Sequence, residues 1–154
     1  MYRIIFLFIS FYLVQCQPKE PPKEFSFKKE KKAPLEKAST HVDLKNKGIG
    51  PVTFVDISQP IDSVLVNDGI AIYSEKCLTC HKIGEAFIGP PPNGILKRRS
   101  PEWVMNFILN TAEMLQKDSL AKALFMEYNG QLMTDQHLSE VEARSILEYF
   151  RTLD

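Results

Sequence analysis

Apolar and polar positions divide this chain into an apolar N-terminal run, a polar stretch and a longer C-terminal part. Residues 4–14 are apolar except for Ser10. This run is too short for a bilayer, which needs about twenty residues, and its length is typical of an export signal. Residues 17–47 are dense in Lys, Glu and Pro, which predicts a disordered charged tether. Residues 48–61 mix apolar residues with Gly and Pro, which predicts an extended arm lying against a domain.

Residues 62–154 show helical spacing of apolar positions and clear helix-start signals. Ser100-Pro101-Glu102 combines an N-cap, a proline at the first helical position and an early acid, and Ser139 to Glu142 is a capping box. Gly69 falls within the first helical pattern and predicts a close helix crossing. No segment alternates as a strand, so the pattern predicts an all-α domain. The first predicted helix is capped by Ser63 and runs to about Lys76. The others run onward from Pro101, from Asp118 to Tyr128, and from Glu140 to the end.

Charge is unevenly distributed, although the whole chain is formally neutral. Residues 60–154 contain 9 Lys or Arg against 13 Asp or Glu, whereas residues 17–59 contain 9 against 6. Nucleic-acid binding needs a clustered basic face, so an acidic domain on a basic tether argues against DNA or RNA as a partner. Three cysteines are an odd number, which disfavours a disulfide framework.

The first cysteine closes the apolar N-terminal segment. Leu13-Val14-Gln15-Cys16 resembles a bacterial lipobox, in which the cysteine becomes the acylated first residue of the mature protein, although Gln15 departs from the usual small residue. Residues 1–16 are therefore predicted to be a signal peptide ending in a lipid-anchor cysteine, which would hold the protein on a membrane surface. The alternative is an export signal cut elsewhere, with Cys16 incidental.

The other two cysteines form the motif Cys77-Leu78-Thr79-Cys80-His81, the attachment sequence for c-type haem. Two intervening residues let one backbone turn present both thiols to the vinyl groups of one porphyrin edge, and His81 then becomes the proximal iron ligand. A zinc site would need four ligands at a recognised spacing, which this chain lacks. A thioredoxin-like motif would open a helix, whereas this one ends a helical segment. Export agrees with haem, because c-type haem is attached after translocation in bacteria.

The helices and the motif together resemble class I cytochromes c, over residues 69–153. The resemblance implies one covalent haem c, and it implies that Gly69 and Tyr73 pack the first helix against Tyr149 or Phe150 of the last. It also implies that the carbonyl of Pro90, in the loop Gly89-Pro90-Pro91, accepts a hydrogen bond from His81 and orients it.

The sixth iron ligand is the open question that decides the function. Met133 lies in the loop before the last helix, where class I cytochromes place their axial methionine, although Thr134 stands where the family usually has proline. The rivals are His137, Met126 and no ligand. Met105, Met114 and Met126 fall on helical patterns, where methionine is usually core filler. A methionine ligand stabilises ferrous iron and raises the reduction potential relative to histidine.

Three residues after the Gly-Pro loop suit the haem propionates. Arg98 and Arg99 match carboxylates by bidentate hydrogen bonding, and the indole N–H of Trp103 is a further donor. A solvated basic pair and a core tryptophan are the alternatives.

These observations predict a one-electron carrier with a six-coordinate haem in a periplasmic respiratory chain. A haem enzyme or gas sensor with an open distal site is the alternative. Residues 100–110, with the stretch 117–128 after them, resemble small lipoprotein cytochromes associated with respiratory oxidases and nitrous-oxide reduction. This resemblance implies a terminal oxidase or a nitrous-oxide reductase as redox partner. The acidic domain suggests that this partner has a basic docking patch.

Overall fold

The computed structural model describes residues 36–153, which contain five α-helices and no β-strand. The only strand-like pairing in this part of the chain is a single bridge between Asp43 and Arg99. None of these helices has the length and apolar character needed to span a membrane. The helices are α1 (Ser63–Lys76), α2 (Pro101–Leu109), α3 (Thr111–Lys117), α4 (Ser119–Glu127) and α5 (Glu140–Arg151), with a 3₁₀ turn at Ile95–Lys97 before α2.

Local capping explains most helix boundaries. Ser100 accepts a hydrogen bond from the N–H of Trp103 at 3.1 Å, and Ser139 forms the predicted capping box with Glu142. The prediction of Ser63 as first N-cap was wrong by one residue. Asp62 caps α1 instead. Its carboxylate accepts hydrogen bonds from the N–H of Val64 at 2.8 Å and from the N–H of Leu65 at 3.4 Å.

The region between the predicted second and fourth helices is more helical than expected. The predicted helix from Asp118 to Tyr128 corresponds to α4, which Asp118 caps through the N–H of Ala121 at 2.7 Å. It ends at Glu127, one residue before the predicted end at Tyr128, and Asn129 and Gly130 follow with positive φ. The additional helix α3 directly precedes it, so the described chain has five α-helices rather than about four.

The helices α1 and α5 cross at a glycine, as the pattern predicted. A Cβ built on Gly69 would lie 2.1 Å from the carbonyl oxygen of Ser145, so only glycine permits this approach. Next to the crossing, the ring of Tyr73 packs edge-on against both Tyr149 and Phe150, with centroids 5.5 and 5.7 Å apart. This packing fixes the end of α1, from which the CxxCH motif follows.

Residues 36–47 were predicted to be part of the disordered tether, and this was wrong. Ala38 is buried, and the backbone of the segment bonds to side chains of the helical domain. The composition is polar, but these contacts use backbone groups, which composition does not reveal. The described part of the predicted tether therefore packs on the domain, while residues 1–35 lie outside the described residues.

Residues 48–61 run over α2 and α5 without regular secondary structure. Asn106 of α2 binds both backbone groups of Val52, at 2.9 and 2.8 Å. Further along, Arg151 of α5 donates to the carbonyls of Ile57 and Gln59, at 3.1 and 2.7 Å. The buried Glu148 accepts from Arg151, and so the arm is tied to the last helix by a charged network.

Candidate functional site

One cavity brings together every sequence-predicted site residue that the structure describes. Its wall is mostly apolar, with side chains from α1, α2, α4 and α5 and from the loops after α1 and α4. The lining includes the predicted residues Cys77, Cys80, His81, Pro90, Arg98, Arg99, Trp103 and Met133. Cys16, the predicted lipid-anchor residue, lies outside the described residues.

The CxxCH motif forms a single turn at the end of α1. The N–H of Cys77 donates to the backbone carbonyl of Tyr73, and the N–H of His81 donates to the carbonyl of Cys77, both at 2.9 Å. This turn presents both free, partly buried thiols to the same cavity. Burial raises the pKa of the Cys77 thiol to about 11, so this thiol is protonated at neutral pH.

Three neighbours fix the orientation of His81. Its Nδ1 lies 2.8 Å from the carbonyl oxygen of Pro90, and because a carbonyl only accepts, Nδ1 carries the proton and Nε2 keeps its lone pair for a metal. Gly89 leaves room for the ring, since a Cβ there would lie 2.4 Å from Cε1 of His81. The hydroxyl of Tyr73 donates to the carbonyl of His81 at 2.6 Å.

Met133 lines the cavity, and the rival ligands do not. Among the described residues it is the one methionine in the wall. Met105 and Met114 are buried as core residues, whereas Met126 is 72% exposed, so its assignment to the core was wrong. The side chain of His137 is 87% exposed and faces Asp135 at 3.4 Å.

One end of the cavity is polar and rich in hydrogen-bond donors. Two donors of Arg98 bond to the carbonyls of Gly94 and Asn93, at 2.8 and 3.1 Å, which fixes its guanidinium. The indole Nε1 of Trp103 is buried without a hydrogen-bond partner, an uncommon state that a bound acceptor would relieve. We call this region the polar end, and it comprises Ser39, Arg98, Arg99, Trp103 and Tyr128.

Arg99 was predicted to bind a haem propionate, but its guanidinium is hydrogen-bonded to backbone carbonyls instead. It is only 3% exposed and lies over the ring of Trp103, 5.3 Å from the centroid. Its guanidinium donates to the backbone carbonyls of Ala38, His41 and Arg98. Burial lowers the pKa of Arg99 from its ordinary value. Two of these three hydrogen bonds go to the N-terminal segment, although the charge of Arg99 still borders the cavity.

Sequence reasoning missed two residues of the polar end, Ser39 and Tyr128. Tyr128 follows the last residue of α4, where no motif marks it, and burial raises its pKa. Ser39 lies in the segment assigned to the tether. The importance of Gly89 could have been inferred from the Gly-Pro pair, because glycine often marks a close approach of a side chain to backbone.

The cavity fits a haem group by its own chemistry. Paired thiols, a histidine with a free Nε2 and a methionine suit covalent attachment and axial ligation of haem iron. The unpartnered Trp103 Nε1 and the two arginines suit the carboxylates of its propionates.

Comparisons with known proteins agree with this chemistry. Residues 66–154 match the family cytochrome c. A cytochrome c from Rhodothermus marinus is 42% identical, with a TM-score of 0.65, covering 68% of this chain and 89% of that protein. An engineered form of it, called Rma TDE, is 41% identical with a TM-score of 0.64 and coverages of 68% and 90%. The cytochrome c domain of the pp3183 protein from Pseudomonas putida is 29% identical, with a TM-score of 0.51 and coverages of 55% and 85%. A search of curated proteins found no match.

Proposed function

Since this chain belongs to the cytochrome c family, we propose that it carries single electrons in a periplasmic respiratory chain, delivering them to a terminal oxidase or reductase. The family binds covalent haem c, whose iron supplies the one-electron couple when bound. The observation that carries the proposal is the meeting of the CxxCH turn, the oriented His81 and Met133 in one apolar cavity. With His81 and Met133 both bound to the iron, no coordination position would remain for a substrate.

Each site residue has a distinct role in this proposal. Cys77 and Cys80 would hold the haem through thioether bonds, and His81 and Met133 would bind its iron. The carbonyl of Pro90 accepts a hydrogen bond from Nδ1–H of His81, which would raise the basicity of Nε2. At the polar end of the cavity, Arg98 and Trp103 would bind the haem carboxylates, and Arg99 would add positive charge.

The exposed rim of the cavity is the proposed route for electrons. Ile88 and Leu132 line the cavity and are 40% and 59% exposed, which gives a partner an apolar surface close to the haem. The net acidic charge of residues 60–154 favours a partner with a basic docking patch. Electron-transfer rates with such a partner should fall as ionic strength rises.

Cys16 is the proposed lipid anchor, which would place the domain at the periplasmic face of a membrane. Its test is metabolic labelling with a fatty acid in a bacterial host. Label on the wild-type chain and none on Cys16→Ser supports the anchor, whereas label on neither refutes it.

The ligand assignment is tested by the absorption spectrum of the protein expressed with a c-type haem maturation system. Ferric haem with a methionine ligand shows a weak long-wavelength charge-transfer band. We expect that band in the wild type and in Met126→Ala, a matched control whose side chain lies outside the cavity, and its loss in Met133→Ala. A band that survives in Met133→Ala would refute Met133 as the ligand.

A haem enzyme or gas sensor is the alternative function, and one observation favours it. Among the described residues, the single hydrogen bond from residues 132–138 to another part of the fold runs from Lys76 to Gln136, at 3.5 Å. A weakly held loop could release Met133 and open a coordination position. An engineered cytochrome c from R. marinus, 39% identical with a TM-score of 0.62, has been solved bound to a carbene intermediate. Rapid carbon monoxide binding by the reduced wild type would favour this alternative, and slow or absent binding would favour electron transfer.

A further inference from the structure

Residues 36–43 lie outside the part of the chain that matches the family, residues 66–154, and yet they reach the cavity. The segment begins with a turn, in which the N–H groups of Thr40 and His41 donate to the carbonyl of Lys37 at 3.0 and 2.9 Å. This turn places Ser39 in the cavity wall beside Arg98 and Tyr128. The segment therefore contributes to the site and not only to the outer surface.

Side chains of the helical domain hold the segment at two points. Glu127 of α4 accepts from the backbone N–H of Ser39 at 2.9 Å and from its hydroxyl at 2.5 Å. Arg99 donates to the carbonyls of Ala38 and His41. The backbone N–H of Asp43 donates to the backbone carbonyl of Arg98 at 2.9 Å. Hydrogen bonds to charged groups are stronger than those between neutral groups, so both attachments are specific.

The cations at the polar end form no direct ion pair. Within residues 36–153, neither Arg98 nor Arg99 contacts a carboxylate within salt-bridge distance. Arg99 is almost fully buried, and burial lowers its pKa, while the charges of Asp43, Asp118 and Glu127 partly oppose this. The polar atom left without a partner is Nε1 of Trp103, and beside the two arginines it indicates a hydrogen-bond acceptor in the cavity next to it.

We propose that residues 36–43 are part of the haem-binding site, where they close the polar end of the cavity over the carboxylates of the haem and shield them from water. This inference rests on the proposed function, because it takes haem as the occupant. Glu127 and Arg99 act as positioning residues, since they hold the segment in place. The haem site of this chain is thus completed by residues that precede its cytochrome c domain.

The test measures how quickly the haem carboxylates of the folded, full-length holoprotein react with a water-soluble carbodiimide and glycinamide. Trypsin then cuts after Lys76 and Lys82, and the haem peptide Cys77–Lys82 contains no Asp or Glu. Amide formation on this peptide, read by mass spectrometry at low conversion, therefore reports only the haem carboxylates.

The variant Ser39→Ala/Glu127→Ala removes the attachment to α4. We expect its haem peptide to be labelled at least threefold faster than that of the wild type. Glu113→Ala is the matched control, because Glu113 is also a helical glutamate with hydrogen-bonded partners but lies outside the cavity wall. It should be labelled at the wild-type rate. If the double variant folds poorly, Ser39→Ala alone should give a smaller increase in the same direction.

Equal labelling of the wild type and the folded Ser39→Ala variants would overturn the proposal while leaving electron transfer intact. A wild-type chain that takes up no haem in the maturation host would instead refute the proposed function itself, and the shielding proposal with it. The two failures are therefore distinguishable.

Discussion

Replacing Gly69 with alanine sets two opposite effects on stability against each other. Alanine favours a helix interior over glycine by about 1 kcal/mol, so helix propensity alone predicts a more stable protein. The crossing with α5 predicts the reverse, because the new methyl would lie 2.1 Å from the carbonyl oxygen of Ser145 and 3.0 Å from Cβ of Tyr149.

The geometry decides which effect is larger. The obstacle at Ser145 is backbone inside a helix, which cannot rotate away, so α1 and α5 must separate by about 1.3 Å, from 2.1 Å to the 3.4 Å at which ordinary contact begins. Overpacking of this kind costs about 1–3 kcal/mol and occasionally more. Separation also weakens the edge-on contacts of Tyr73 with Tyr149 and Phe150, each worth about 1 kcal/mol. We therefore expect a net loss of about 2 kcal/mol.

The assay is urea unfolding of the holoprotein, followed by helical circular dichroism. Asn67→Ala is the matched control, because Asn67 lies on the exposed side of α1 two residues away and the substitution also improves helix propensity. This control should be neutral or slightly stabilised. A Gly69→Ala protein more stable than the wild type by about 1 kcal/mol would show that propensity prevails and that the crossing tolerates a methyl.

Three further predictions concern the surroundings of the motif and the last helix. Tyr73→Phe keeps the aromatic packing but leaves the carbonyl of His81 without its donor, so urea unfolding should show a loss of about 1 kcal/mol; unchanged stability would contradict the hydrogen bond. Gly89→Ala should push the His81 ring from its place, which should reduce the yield of low-spin haem protein in absorption spectra; an unchanged yield would contradict this close approach. Burial raises the pKa of Glu148, but hydrogen bonds from Arg144, the N–H of Asp62 and Arg151 together hold it below its ordinary value of 4.5. Its stabilisation is therefore present above pH 4.5 and lost as pH falls through the folded pKa, so the stability gap between the wild type and Glu148→Gln should narrow in acid; a constant gap in thermal melts would refute this.

The signals that predicted the fold correctly were local. Ser100 and Ser139 cap helices through residues three positions away, and Gly69 marked the crossing because glycine within a helix is costly unless something packs closely against it. The bond from His81 to Pro90, by contrast, was implied only by the resemblance of the Gly-Pro loop to that of class I cytochromes c, and the structure contains it.

The features that sequence did not predict depend on distant partners. Asp62, and not Ser63, is the N-cap of α1. The N–H of Asp62 is itself hydrogen-bonded to Glu148 in the last helix, a contact that the local sequence does not reveal. The packing of residues 36–47 depends on Arg99 and Glu127, which are far away in the sequence. A polar composition shows that a segment cannot form a core alone, but not whether another part of the chain binds its backbone.

The crossing of α1 and α5 also has a consequence for the maturation of this protein. The two helices lie near opposite ends of the described sequence, so the crossing forms only after the last helix has been made. Until then the CxxCH turn lacks the packing of Tyr73 against α5, and its thiols stay accessible to the haem attachment machinery. Once the crossing closes, Cys77 is partly buried and burial raises its pKa to about 11, which leaves little reactive thiolate. Closure of the crossing before haem attachment should therefore slow the reaction of Cys77 with haem.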